Sequence, residues 1–399
     1  MPLFLSPVAR KGALIAMMKS TGLIKDVTRI CLEYYLCKEK IYTTSGAFAA
    51  TLYNGVVITW GDNQFGGDSY RVRAKLNSGI DTIYTTGLAF CAKLLDGEII
   101  TWGSEANGGD SSSVQTELKL GVDTIYATER AFAAKTRNGR IIAWGDERFG
   151  GNNTNLRYYL KDCVDTIYTT QSAFCAKLFN GRLIAWGDLQ SGGDITSVMS
   201  ELEVGVDTVY STYYAFCAKL LNGHIVTWGD IYYGGNSNSV RDDLNVGVST
   251  VYSTHYAFCA VLINGDVVTW GDKNFGGDCR SVHDELKTGI QTIYSTNGAF
   301  CAILLSGKII TWGGPSYGGD CSSVQADLKE GVETIYTTNY AFCAKLITGR
   351  YVSWGCEQFG GDSSRVQREL DSGVDNIYST NKTFCATLKN GSIVMWGDI

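Results

Sequence analysis

Nine tryptophans, Trp60, Trp102, Trp144, Trp186, Trp228, Trp270, Trp312, Trp354 and Trp396, each stand 42 residues after the last, and the chain has no other. A period kept over nine copies without insertion or deletion decides the architecture ahead of any motif. Phenylalanine keeps the same interval from Phe48 to Phe384, and tyrosine keeps it from Tyr42 to Tyr378.

One unit reads as three short strands. The first is "DTIYTT", as at 81–86, and the second "AFCAKLL", both rich in residues that suit a pleated, half-buried surface. An Asn-Gly or Asp-Gly pair follows, as at Asn54-Gly55, Asp96-Gly97, Asn222-Gly223 and Asn390-Gly391. That dipeptide favours a type I′ turn between antiparallel strands. The third strand is "HIVTWG", and a Gly-Gly pair closes it. Beyond it a segment such as "SSVQTEL" at 112–118 spaces Val and Leu four apart, as one helical turn or a packed loop would.

Three strands in 42 residues cannot bury both faces of their sheet alone. Stacking the copies buries each sheet on its neighbours, the logic of a β-propeller. A β-solenoid is the competing architecture, but it repeats at about 20–30 residues with parallel strands, and the hairpins argue against it. The expectation is therefore an all-β chain: over 41–399, a β-propeller of eight or nine short three- to four-stranded blades whose ends meet at a seam. Residues 1–40 lack the repeat, and "GLIKDVTRICLEYYL" at 22–36 sets Leu23, Val27, Ile30, Cys31 and Tyr34 on one helical face.

The net charge is −6, and no basic run tracks a phosphate backbone, which argues against nucleic acid as a partner. Thirteen cysteines are an odd count, and Arg10 and Lys11 interrupt the apolar N-terminus before a signal or membrane span forms. Reduced thiols inside a cell, in cytoplasm or nucleus, are the expectation.

Single residues that suggest chemistry dissolve into the repeat. Cys91, Cys175, Cys217, Cys259, Cys301, Cys343 and Cys385 share a position that Ala49 and Ala133 hold elsewhere, so they read as small apolar filler. Cys279 and Cys321 follow Gly-Gly-Asp in adjacent copies, while Cys31, Cys37, Cys163 and Cys356 belong to no motif. Asp62, Asp146, Asp188, Asp230, Asp272 and Asp398 follow Trp-Gly, and Asp68, Asp110, Asp194, Asp278, Asp320 and Asp362 follow Gly-Gly. Ser104, Gly314, Cys356, Asn152 and Asn236 replace them in single copies, which fits turn residues better than a calcium array. Lys93, Lys135, Lys177, Lys219 and Lys345 read either as stems packed on a neighbouring blade or as residues lining the channel. His224, His255 and His283 fall at different repeat positions with no nucleophile partner in sequence. The reading is no enzyme, no metal and no cofactor.

On a uniform scaffold, function sits where copies differ. The two residues before "AF" form the loop between the first and second strands, and copies five and six are aromatic there: Tyr213-Tyr214 and His255-Tyr256. Tyr232 and Tyr233 follow Trp-Gly-Asp in copy five, and Tyr340 holds the loop position in copy eight. Loop tyrosines bring large contact area at low rotamer cost. These seven residues are the candidate surface for a protein partner.

The unit resembles the repeats of the regulator of chromosome condensation family, carried here by "NGHIVTWGDIYYGG" at 222–235 and "NGDVVTWGDKNFGG" at 264–277. The family's usual Gly and His before the second strand are replaced, as by Thr86 and Ala89. The resemblance implies a propeller, with functions ranging over nucleotide exchange, ubiquitin-ligase targeting, enzyme inhibition and light sensing. No copy carries an inserted loop like the wedge on which the founder's exchange activity depends. The 22–36 stretch resembles the opening helix of an F-box, a start that joins repeat domains in large DNA viruses. The leading expectation is a non-enzymatic propeller scaffold for protein contact, a structural piece of a larger assembly or virion. The alternatives are an F-box-like substrate adaptor and an exchange factor for a small GTPase.

Overall fold

The middle strand of each repeat is short, Ala-rich and flanked by aromatics, so it can be buried on both faces only if other sheets cover it. In the computed structural model, which describes residues 41–51, 55–77, 79–161 and 164–398, that covering is what organises the chain. The 22–36 stretch, Asn54, Cys31, Cys37 and Cys163 lie outside the described residues. The chain forms two compact units, one ending at Val164 and the other Asp165–Ile399.

The first unit holds three blades, numbered here by their tryptophans from Trp60 onward. Their strands are Ile41–Thr43, Ala47–Thr51 and Val57–Gly61; Ile80–Thr85, Ala89–Leu94 and Ile99–Gly103; and Val122–Ala127, Ala131–Thr136 and Ile141–Gly145. The second unit holds six more, the first strand of which opens at Val164. All nine are three-stranded antiparallel sheets in sequence order, so the fold is all-β, a β-propeller repeat of nine blades. The count is nine rather than eight, and every blade has three strands rather than four.

Blade five shows the construction. Val206–Ser211, Ala215–Leu220 and Ile225–Gly229 pair so that Phe216 stands opposite Trp228. Their rings stack at 5.3 Å, and the Trp228 indole N–H donates to the Gly192 carbonyl of blade four at 3.0 Å. Gly192 has φ +97, and a Cβ there would sit 2.5 Å from the Phe216 ring. Only glycine supplies both the left-handed backbone and the room for the next blade's phenylalanine. The core is thus made between consecutive blades: Ala173, Cys175 and Leu183 of blade four pack with Val209, Phe216, Ala218 and Trp228 of blade five. Each such phenylalanine contributes roughly 1.5–3 kcal/mol by burial.

The hairpin differs from the expected two-residue turn. Gly223 N–H donates to the Leu220 carbonyl at 2.9 Å, and Leu220 N–H to the His224 carbonyl at 2.8 Å. With Gly223 at φ +84, this is a three-residue loop closed by a glycine bulge. The segment after Gly-Gly resolves into a 3₁₀ turn, Ser112–Val114, followed by one helical turn, Gln115–Leu118, with Leu118 buried. Among the described residues no helix is long and apolar enough to cross a membrane.

Candidate functional site

A threonine fixes the loop before each middle strand. In blade five Thr212 is buried, its hydroxyl accepting from Ala215 N–H at 3.0 Å and donating to the Tyr233 carbonyl at 2.9 Å. Thr254 does the same with Ala257 and Phe275, and Thr338 with Ala341 and Phe359. The threonine therefore clamps the loop to the residue before Gly-Gly on the same blade, bringing Tyr214 and Tyr233 to one end of the sheet. The Thr86 that departs from the family pattern belongs to this set, bonding Ala89 N–H and the Asn107 carbonyl.

The loops of neighbouring blades are joined by their backbones. In the second unit Gln171 N–H donates to Tyr213, Tyr213 to His255, His255 to Asn297, Asn297 to Asn339 and Asn339 to Asn381, at 2.8 to 3.0 Å. Equivalent residues so bonded lie at inter-strand spacing, about 4.8 Å, which stacks their side chains. Tyr213 and His255 accordingly meet face to face, ring centroids 3.5 Å apart.

One residue further along, the aromatics form a zigzag. Tyr214 contacts Tyr233 at 5.3 Å, Tyr233 contacts Tyr256 at 4.9 Å, and Tyr256 contacts Phe275 at 4.6 Å. Phe275 then meets Tyr317 at 5.4 Å, Tyr317 meets Tyr340 at 5.2 Å, and Tyr340 meets Phe359 at 4.6 Å. The Lys382 ammonium ends the row, 5.1 Å from the Phe359 ring centre. Tyr256 and Tyr340 each sit between the pre-Gly-Gly aromatic of their own blade and that of the blade before, whereas Tyr214 opens the row because Ser191 holds that position in blade four. Blade seven has Gly298 at the loop position, where a Cβ would lie 2.7 Å from Tyr317 and 2.8 Å from Phe275, so those two rings close directly on each other. The rings are half-buried. Burial raises the Tyr256 phenol above its ordinary range, and the phenols of Tyr214 and Tyr317 add to the effect. Burial also lowers His255 to about 4, so the ring is neutral near pH 7.

Six of the seven sequence candidates, Tyr213, Tyr214, Tyr233, His255, Tyr256 and Tyr340, belong to this band. Tyr232 does not: it is 73% exposed and lines a separate groove of about 1160 Å³ with Ile231, Val240, Val268 and His283. Phe275, Tyr317 and Phe359 were missed by the sequence reading. Their signal was the aromatic before Gly-Gly, recurring at Phe65, Phe149, Tyr233, Phe275, Tyr317 and Phe359.

The remaining candidates have structural places. Cys91, Cys175, Cys217, Cys259, Cys301 and Cys343 are fully buried, and burial pushes the Cys343 thiol up to about 12. Cys279 and Cys321 are buried in the clusters of Cys259 and Cys301 respectively. Asp230 accepts from Tyr232 N–H and Asp272 from Asn274 N–H, and after Gly-Gly Asp320 accepts from Ser322 N–H, each at 2.8 Å. Both aspartate sets are turn residues. Lys93 reaches the Asp123 carbonyl of the next blade at 2.6 Å, and Lys219 reaches Ser249 at 2.9 Å.

No family model matches the chain, and no curated protein matches it. Solved structures do. The ectodomain of the Arabidopsis thaliana receptor kinase ACR4 is 16% identical over 69% of this chain and 96% of its own, with a TM-score of 0.37. Prp20p of Saccharomyces cerevisiae is 15% identical over 59% of this chain and 72% of its own, with a TM-score of 0.37. Human WBSCR16 is 13% identical over 81% and 78%, with a TM-score of 0.32. Likeness at this level says nothing of family or activity.

Proposed function

We propose that this chain is a non-enzymatic scaffold that recognises a protein partner through the aromatic band of its second unit. The observation that carries the reading is the unbroken row of ring contacts from Tyr214 to Phe359. Scattered surface tyrosines are ordinary, whereas a continuous half-buried aromatic surface on rigid, backbone-tied loops has the character of an interface core. The cysteines support the non-enzymatic part: buried thiols held in the protonated form are poor nucleophiles. The cysteines at the shared repeat position interchange with alanine, so they serve as packing groups rather than paired thiols, which fits a reducing, intracellular setting.

The test is affinity capture from the native source with wild type and with a Tyr213→Ala, Tyr214→Ala, His255→Ala, Tyr256→Ala variant, scored by mass spectrometry. Partners lost only with the variant support the reading. Full retention of every partner removes it. Capture of a small GTPase or of a ligase adaptor by the band would redirect the assignment to exchange or substrate targeting.

A further inference from the structure

A cation lies over an aromatic that precedes Gly-Gly in two places, one in the band and one in the first unit. In the second unit the Lys382 ammonium lies 5.1 Å over the Phe359 ring. In the first unit the Arg130 guanidinium lies 4.9 Å over Phe149. Both cations come from the loop position before the middle strand, and both rings are the aromatic before Gly-Gly. Blades five, six and eight put Tyr214, Tyr256 and Tyr340 at that same position, so the cation is replaced by a further ring. Lys382 lies over the ring of the blade before and Arg130 over the ring of its own blade, the two neighbours that a loop ring such as Tyr256 touches, so ring or cation fills the loop position.

The charge around the band has a sign. Asp230 N–H bonds the Tyr214 carbonyl and Asp272 N–H the Tyr256 carbonyl, both at 2.9 Å, which ties each aspartate to a residue of the aromatic row through its backbone. Two of their counterparts are neutralised, Asp146 by Arg148 at 2.8 Å and Asp398 by Lys382 at 3.5 Å, while Asp62 and Asp188 accept from backbone N–H groups of their own turns. Among the described residues neither Asp230 nor Asp272 is in an ion pair, while Asp272 and its neighbour Lys273 both line the groove of Tyr232. A ring face carries negative quadrupole density, and a carboxylate beside it adds to the pull on a cation.

We propose that the band takes a basic segment of its partner, one whose Arg or Lys side chains lie over the rings of blades five to eight as Lys382 lies over Phe359. The proposal rests on the reading of the band as a partner surface and adds the chemistry of the partner. Arginine is favoured over lysine, since its planar, weakly hydrated guanidinium stacks on aromatic faces.

The probe is a short fluorescent peptide of alternating Arg and Ser, with a citrulline-Ser peptide of the same length, read by anisotropy at two salt concentrations. Wild type is expected to bind the arginine peptide at least tenfold more tightly than the citrulline one. A Tyr256→Leu, Tyr340→Leu variant keeps apolar volume and is expected to lose at least tenfold. An Asp230→Asn, Asp272→Asn variant, which leaves the rings in place, is expected to lose severalfold at low salt and less at high salt. Equal binding of the two peptides overturns the proposal, as does unchanged arginine-peptide binding in both variants. If the alanine variant loses its native partner while wild type ignores the arginine peptide, the band remains an interface and the basic chemistry is overturned. If the alanine variant keeps both partner and peptide, both readings fall.

Discussion

His255 lies flat against Tyr213, with ring centroids 3.5 Å apart and planes 22° from parallel. The contact follows from the backbone, because Tyr213 N–H donates to the His255 carbonyl at 2.9 Å and sets the two residues on adjacent rungs. A stacked, desolvated imidazole is best neutral, and burial accordingly lowers His255 to about 4.

The sign of the pH dependence follows. The unfolded imidazole titrates near its ordinary value of about 6.5. Between that value and about 4 the unfolded chain binds a proton that the folded chain does not. Stability from this group is therefore intact above about pH 6.5, falls as pH drops towards 4, and levels off below. Allowing for partial solvent access, the loss between pH 7 and pH 5 is about 1 kcal/mol. Urea midpoints of wild type and His255→Gln at both pH values check this. The variant is expected to lose less than wild type on acidification, and parallel losses contradict the account.

The tryptophan indoles differ in what their N–H meets. Trp312 donates to the Gly276 carbonyl at 3.2 Å, whereas the buried Trp60 Nε1 has no hydrogen-bond partner among the described residues. Trp312→Phe strands a buried carbonyl, but Trp60→Phe removes a donor that has no acceptor among the described residues. The first is expected to cost about 1–3 kcal/mol more than the second. Chemical denaturation of the two variants decides it, and equal costs would show that the indole bond contributes nothing net.

Two glycines with similar backbones face different surroundings. Gly276 has φ +100, and its Cβ would lie 2.6 Å from the Phe300 ring; Gly265 has φ +89 and nothing within 4 Å. Gly265→Ala bears only the left-handed backbone penalty, about 1–2 kcal/mol. Gly276→Ala adds overpacking of a fully buried ring, about 1–3 kcal/mol more. Matching thermal shifts for the two variants would mean that the Phe300 ring yields freely.

These contrasts mark how far the sequence could be read. The 42-residue interval of Trp60 to Trp396 already contains the blade, and the exchange of Cys217 with alanine elsewhere contains its burial, because both follow from one copy laid over the next. The zigzag does not follow from such an overlay. Tyr214 and Tyr233 lie 19 residues apart within one repeat, and Tyr233 and Tyr256 belong to two repeats, so comparing equal positions never pairs them. Tyr232 and Tyr233 adjoin in sequence, yet one lines a groove and the other joins the band. The turn between Asp230 and Gly234 decides that split, and only its backbone geometry shows it. The hairpin was misjudged for a similar reason, since Asn-Gly serves a two-residue turn and a glycine bulge alike.

Thr254 links the scaffold to the band most directly. Its buried hydroxyl donates to the Phe275 carbonyl at 2.9 Å and accepts from Ala257 N–H at 3.0 Å, while the Phe275 ring packs on Tyr256 at 4.6 Å. Thr254→Val keeps the shape but strands a buried carbonyl and a buried N–H, at a cost of about 1–3 kcal/mol. Thr254→Ser keeps the hydroxyl and is expected to cost less. Because the lost bonds tie the Tyr256 loop to Phe275, the valine variant should also weaken partner capture, and the serine variant should restore it. Hydrogen exchange at Ala257 N–H gives an independent reading: faster in the valine variant and near wild type in the serine variant. Exchange unchanged in the valine variant would show that the middle strand, and not the threonine clamp, holds the loop in place.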